Sequence, residues 1–280
     1  MKVYFQSIYL FFINLCYTSY MITKKQQRGF ILAMKAGEIM MKNGGEIYRV
    51  EECIERICHA CDIPHVEVFA TPTGIFASIG SGGEDGDVKS YVKSIPSRTT
   101  DLQKISDVNN LSRKFVNGDI DVEDALKKVK EIETTPLYSM PLRLLGAALA
   151  SSVFCVLFDG TYTDGLITIF VGMFTYYISY LLGRYKISYF IVDFCCCGIA
   201  TFLALLLESL GLAAQHDFII IGTLMLFVPG AAFTNALRDI LRGDMLSGVS
   251  RLTEALAVAI SLAVGAGFVL QLWNSFGGVF

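Results

Sequence analysis

One acid in this 280-residue chain stands where an acid is expensive. Asp193 lies about two turns inside an apolar run that begins near Ile187, and an acid at that depth in a bilayer costs at least about 2.5–3.5 kcal/mol. It must be neutral, paired, or within reach of a wet vestibule at the end of the run. Pro229-Gly230 falls near the middle of a second run, Phe218–Leu237, where proline removes a backbone hydrogen bond and glycine relaxes the chain. Such a step reads either as a packing kink or as a broken helix whose exposed carbonyls coordinate a solute, with Thr234 and Asn235 one turn onward. Arg238 and Asp239 close that run, where interfacial anchoring accounts for them. Glu254 opens a third run three residues after Arg251, at a spacing that lets the two pair along a helix. Asp193 and Glu254 are the two side chains able to carry a coupling proton through apolar surroundings.

The elements that must position these residues are membrane helices. The chain is 53% hydrophobic and 18% charged, with a mean hydropathy of +0.51, an average over two unlike parts. From Pro141 to Trp273 the sequence reads as five spans of roughly 18 to 22 residues. The connections Asp159–Asp164 and Glu208–Asp217 hold acids and no Lys or Arg, whereas Arg184, Lys186, Arg238, Arg242 and Arg251 fall in the alternate connections. Lys and Arg mark cytoplasmic loops, so the residues before Pro141 are expected in the cytoplasm and Asn274–Phe280 outside. The expected fold is an α-helical polytopic membrane protein of five transmembrane helices (141–280) behind an N-terminal cytoplasmic α+β domain (23–140). Ala255, Ala259, Ala263 and Gly267 recur every four residues on the last span, a small-residue stripe suited to packing within the bundle or against another chain's helix. Residues 1–22 form an uncertain hydrophobic segment. They are a sixth span, an uncleaved signal-like segment, or sequence ahead of a true start at Met21.

The polar part builds its own core. Ile31, Met34, Ile39 and Met41 recur at helical spacing from Arg28 to Lys42, and Asn43-Gly44-Gly45 stops that helix. Val50, Ile54, Ile57 and Cys61 line one face of a second helix, Glu46–Cys61, before Asp62-Ile63-Pro64 breaks it. The period then changes to two: Val66, Val68 and Ala70, a break at Pro72, Ile75–Ile79, the Ser81–Gly86 turn and Val88–Ile95 make a hairpin with a third extended run. Two further helices are expected near Asp107–Val116 and Asp121–Ile132, the second capped by Asp121. Acids and bases nearly cancel over this half, which excludes a nucleic-acid grip. Among the eight cysteines, Cys53, Cys58 and Cys61 with His59 and His65 approach metal-ligand spacing, but a separated second ligand pair is missing, so no metal and no cofactor is expected.

The run Gly37–Glu51 (GEIMMKNGGEIYRVE) followed by Val66–Ile75 (VEVFATPTGI) resembles the N-terminal portion of the threonine/serine exporter family. Phe227-Val228-Pro229-Gly230, Thr234–Leu241, Gly243-Asp244, Ser247-Gly248 and Arg251–Leu256 are similar to that family's membrane motif. The resemblance covers about Gly29 to Leu272. It implies that Glu46, Tyr48, Arg49 and Glu51, beside the turn Thr71-Pro72-Thr73, bind or gate the solute; as residues alone they read as a capping and salt-bridge cluster at a helix start. Full-length members carry a second membrane half, and the family also occurs split in two. This chain looks like the larger piece, which implies a small integral-membrane partner subunit and leaves room for a homo-oligomer.

The function expected is therefore a subunit of an inner-membrane secondary exporter, not an enzyme. It would move a small polar metabolite by alternating access on an ion gradient, and the chain carries no G-x-x-x-x-G-K-[ST] loop for ATP. The resemblance implies threonine and serine as substrates and, from its split branch, small dicarboxylates such as succinate. A membrane-anchored enzyme or a sensor working through the polar domain are the alternatives. No recognisable nucleophile, base and orienter set supports the enzyme.

Overall fold

The computed structural model describes residues 23–80, 88–136, 138–185 and 187–276. The hydrophobic segment 1–22, the turn expected at Ser81–Gly86, Lys186 and residues 277–280 lie outside that description. The chain divides into two compact units. The first takes in the chain up to Thr135 together with Asn235–Ser250; the second holds Pro136–Thr234 and Arg251–Phe280.

The first unit runs α1 (Lys24–Lys42), α2 (Ile47–Ala60), β1 (His65–Thr71), β2 (Gly74–Gly80), β3 (Val88–Ser94), α3 (Leu102–Val116) and α4 (Val122–Thr134). Helix α1 starts ahead of its apolar period because Thr23 and Gln26 form a capping box. The Thr23 hydroxyl accepts the Gln26 N–H at 3.2 Å, and the Gln26 side chain accepts the Thr23 N–H at 2.9 Å, so donors that no helix turn can reach are satisfied. Gly44, at φ +89°, turns the chain from α1 into α2, a conformation nearly free only for glycine. Asp121 holds the N-cap position of α4, but its side chain makes no capping bond among the described residues. There the backbone carbonyl of Asp121 accepts the Ala125 N–H at 2.9 Å, and the expected cap is corrected to that extent.

The strands form an antiparallel meander in the order β1-β2-β3. Pro72 and Thr73 make the two-residue turn that pairs Thr71 with Gly74. The central strand buries Ile75, Ala77 and Ile79 on one face, as a period of two requires. The helices cover that face. Val50, Ile54 and Ile57 of α2 join Met40 and Met41 of α1 and Val108 of α3 in one core, each large side chain contributing about 1.5–3 kcal/mol. Cys53, Cys58 and Cys61 are buried in the same core. Burial pushes the Cys58 thiol up to about 12, so it sits there as a small protonated hydrophobe.

The second unit contains α5 (Met140–Leu157), α6 (Tyr162–Arg184), α7 (Tyr189–Ser209), α8 (His216–Leu224), the first turn of α9 (Gly230–Leu241) and most of α10 (Met245–Ser275). Among the described residues, four helices are long and apolar enough to cross a membrane: α5, α6, α7 and α10. Of the five spans expected, four are thus single helices, and the fourth in chain order takes the broken-helix form left open at Pro229-Gly230. The run read as the fourth span is two helices of 9 and 12 residues, and at 1.5 Å per residue neither alone matches a hydrocarbon core of about 30 Å. The long helices turn Leu145, Leu149, Phe170 and Ile260 outward and keep small residues such as Ala147, Ala200 and Ala204 inside, which lets helices approach closely in lipid. On α10, Ala255 packs inside the unit, while Ala259, Ala263 and Gly267 are exposed.

Candidate functional site

Proline 229 has no N–H, so the Met225 carbonyl has no helical donor. The Gly230 N–H bonds the Val228 carbonyl at 2.8 Å, and the Leu226 carbonyl thereby loses its helical donor as well. The chain leaves the helix from Met225 to Pro229 and resumes it at Gly230. The Thr234 hydroxyl turns back onto this new helix and donates to the Gly230 carbonyl at 2.9 Å, closing its first turn.

Two acid-bearing helix faces meet that interruption. Leu224 and Phe227 pack against Cys197 of α7 and against Val258 and Leu262 of α10. Asp193 precedes Cys197 by four residues and Glu254 precedes Val258 by four, which places each acid one turn along the face that meets the break. Both are half-buried. Asp193, Pro229, Gly230, Thr234 and Glu254 therefore belong to one region of the second unit: two unpaired-by-helix carbonyls, a helix start and two acid-bearing faces within an apolar bundle. Such a set can hold a cation, a proton or the polar end of a small solute.

The remaining expected residues gather in the first unit. Asn235–Ser250 folds with it, and the Gly44-Gly45 corner is where it seats. The Asn235 amide donates to the Gly44 carbonyl at 3.2 Å. Glu46 pairs with Arg238 and with Arg49 Nε at 2.8 Å. The Tyr48 ring carries Arg242 on its face, 3.4 Å from the centroid, while the Tyr48 hydroxyl accepts from Arg49 Nε at 3.0 Å. Gly248 lets α10 close on α9, since a Cβ there would lie 2.4 Å from Ile240 Cγ1 and 2.9 Å from the Ala236 carbonyl oxygen. Arg238 is bound by Glu46, and Asp239 is fully buried.

Glu51 and the threonine turn are arranged differently. Glu51 Oε1 accepts the Ala70 N–H at 2.8 Å, tying α2 to β1. Burial lifts its carboxyl above the ordinary range, against that hydrogen bond, and the negative charges of Asp244, Glu55 and Asp239 add to the rise. Thr71 Oγ1 lies 3.3 Å from Thr73 Oγ1 and 3.2 Å from the Gly74 carbonyl oxygen, and Pro72 is buried. Those three residues build the hairpin turn.

Sequence reasoning treated Arg242 as a topology charge and passed over Asp164. Arg242 had a signal, an aromatic partner in Tyr48, but no spacing links the two. Asp164 is fully buried. It bonds the Thr161 hydroxyl at 2.6 Å and accepts the N–H groups of Ala214 at 2.8 Å and Gln215 at 3.3 Å, stitching the α5–α6 connection to the α7–α8 connection. The pattern Thr161-x-x-Asp164 is a capping box readable in sequence, though not the distant pair of N–H groups.

A family model described as "Putative threonine/serine exporter" matches residues 31–273. The "Probable succinate transporter subunit YjjP" of Escherichia coli (strain K12) is 24% identical over 92% of this chain and 100% of its own length. The "Threonine/serine exporter" of Corynebacterium glutamicum is 25% identical over 86% of this chain, yet the match covers 50% of that protein. The "Probable threonine/serine exporter" of Mycobacterium tuberculosis is 22% identical over 84% of this chain and 44% of its own length. This chain thus spans about half the length of those two relatives. No solved structure matches it.

Proposed function

The chain belongs to the threonine/serine exporter family, a family of membrane transporters and not of enzymes, and from that premise we propose that it is one subunit of a secondary exporter for small polar metabolites bearing a carboxylate. The observation that carries this reading is the interrupted α8–α9 helix, met by the faces of α7 and α10 that hold Asp193 and Glu254. Broken helices near the bilayer midplane are how transporters offer backbone carbonyls and a helix start to a solute without exposing them to lipid. With α8 and α9 crossing together, α7 and α10 run the same way, and both acids fall on one side of the break. Desolvated acids in that position can take a proton on one side of the membrane and release it on the other.

The charge distribution supports the first unit as the cytoplasmic one, because Arg184, Arg238, Arg242 and Arg251 fall at or near alternate ends of the apolar runs, which an alternating topology puts on a single side. A relative named as a subunit and two relatives twice as long support a second membrane chain that supplies the remaining helices. Those names divide between the amino acids threonine and serine and the dicarboxylate succinate, and threonine/serine export is the reading adopted here. The test is transport in proteoliposomes holding this chain alone and with its partner, under an imposed pH gradient. We expect both components to be required, and the double substitution Asp193→Asn with Glu254→Gln to abolish pH-driven movement. Undiminished pH-driven transport in that double variant would end the coupling assignment.

A further inference from the structure

The Glu46–Arg238 pair has the construction of an exchangeable contact. Glu46 is held between two guanidinium groups, those of Arg49 and Arg238. The Glu46 side chain is only 11% exposed, but its cationic partners remain open to water, Arg49 at 48% and Arg238 at 42%. A third guanidinium, that of Arg242, lies against Tyr48 two residues further on. Asp239 and Asp244 act on the charge of Glu51; Asp239 is fully buried and Glu51 is engaged with Ala70. Two arginines thus hold one weakly exposed carboxylate and remain partly open to water, with a third arginine on the neighbouring Tyr48 ring.

We propose that Arg238, backed by Arg49, binds the carboxylate of a small solute, and that this carboxylate displaces Glu46 and releases α9 from the α1–α2 corner. The inference rests on the exporter reading above and names the recognition step of that site. A guanidinium fork receives any carboxylate in the same bidentate geometry, whatever the rest of the solute carries. A hydroxy amino acid and a dicarboxylate share that group and little else, which accounts for both kinds of name among the relatives. The exchange is nearly isoelectric, one carboxylate for another, so its balance responds to solute concentration. The consequence is mechanical: α9 begins at the Pro229 interruption and has no continuous helix behind it, and the Glu46 bridge ties its far end to the α1–α2 corner, beside Asn235 to Gly44 and Arg242 to Tyr48.

The test uses the full chain, purified and reconstituted, with three probes: succinate, threonine, and threoninol as the analogue lacking a carboxylate. Equilibrium binding is compared among wild type, Glu46→Gln, Arg238→Gln and Arg238→Lys. Glu46→Gln removes the internal competitor, and succinate and threonine are then expected to bind about tenfold more tightly, a factor equal to about 1.4 kcal/mol. Arg238→Gln is expected to weaken both about tenfold or more, with threoninol binding unmoved by either change. Should Arg238→Gln fail to fold, Arg238→Lys keeps the charge without the fork, and weaker binding of both acids is again expected. Equal affinities across folded variants would overturn the exchange while wild-type transport left the exporter reading intact. Reconstituted wild-type complex that moves no carboxylate would instead end the exporter reading.

Discussion

Asp164 and Glu46 each tie two distant stretches of chain together, and they do it with opposite kinds of donor. Asp164 bonds a hydroxyl and backbone N–H groups from its own helix start and from Ala214 and Gln215. Backbone donors of a folded loop cannot swing away, and the carboxylate is fully buried. Glu46 is held by the ends of two long, partly exposed arginines. The first arrangement is a rivet and the second is a contact that water and solute can reach. The difference separates a tie closed to water from one whose partners stay open to it.

The comparison is broken most forcefully at the rivet. Asp164→Ala removes a helix cap and leaves two distant N–H groups unbonded, and it should cost roughly 2–4 kcal/mol, read as a fall in melting temperature of the detergent-purified chain. If that loss were no larger than the loss from Glu46→Gln, the distinction drawn here would collapse. Next in size, Gly248→Val forces a side chain into Ile240 and the Ala236 carbonyl, at a cost of about 1–3 kcal/mol. The expected sign is freer proteolysis between residues 235 and 250 while the second unit stays protected.

A smaller effect separates two carboxylates of the first unit by pH. Burial pushes Glu38 up, but the hydrogen bonds and charges of Lys42 at 2.5 Å and Lys93 at 3.0 Å outweigh it and hold the carboxyl below its ordinary range. Its contribution is present above the unfolded carboxylate pKa and is lost as pH falls through the folded value. Glu51, raised by burial and neighbouring acids, works with the opposite sign. The folded state then holds the proton more tightly than the unfolded chain, and stability declines as pH rises through the folded value. Glu51→Gln should therefore raise the melting temperature slightly at pH 8, by an amount worth less than about 1 kcal/mol, with the gain shrinking toward pH 4. A gain that instead grew on acidification would reverse the assignment.

Much of this was legible in sequence where the physics is local. The end of α1 at Asn43-Gly44, the two-residue turn at Pro72-Thr73 and the helix break at Pro229 each follow from a missing Cβ or a missing N–H. Apolar length identified α5, α6, α7 and α10 as membrane-spanning candidates, but a hydropathy run cannot tell a kinked span from two helices in line, so both forms stayed open for α8–α9. The partner of Arg238 was not legible, for a different reason. An arginine at the end of an apolar run satisfies an interfacial rule by itself, and nothing in its neighbourhood names a partner.

Hydrophobic period, turn chemistry and the two family-like motifs determined the order and kind of the elements, because each depends on residues within a few positions of one another. Only the tertiary structure decided that Asn235–Ser250 seats on the Gly44 corner, across a separation of 191 residues between Asn235 and Gly44. It alone also decided that Glu46 faces Arg238 and that Cys197, Val258 and Leu262, each four to eight residues after an acid on its helix, pack with Phe227 at the break. A side chain's partner is set by which surfaces the whole chain brings into contact, and no local spacing encodes that.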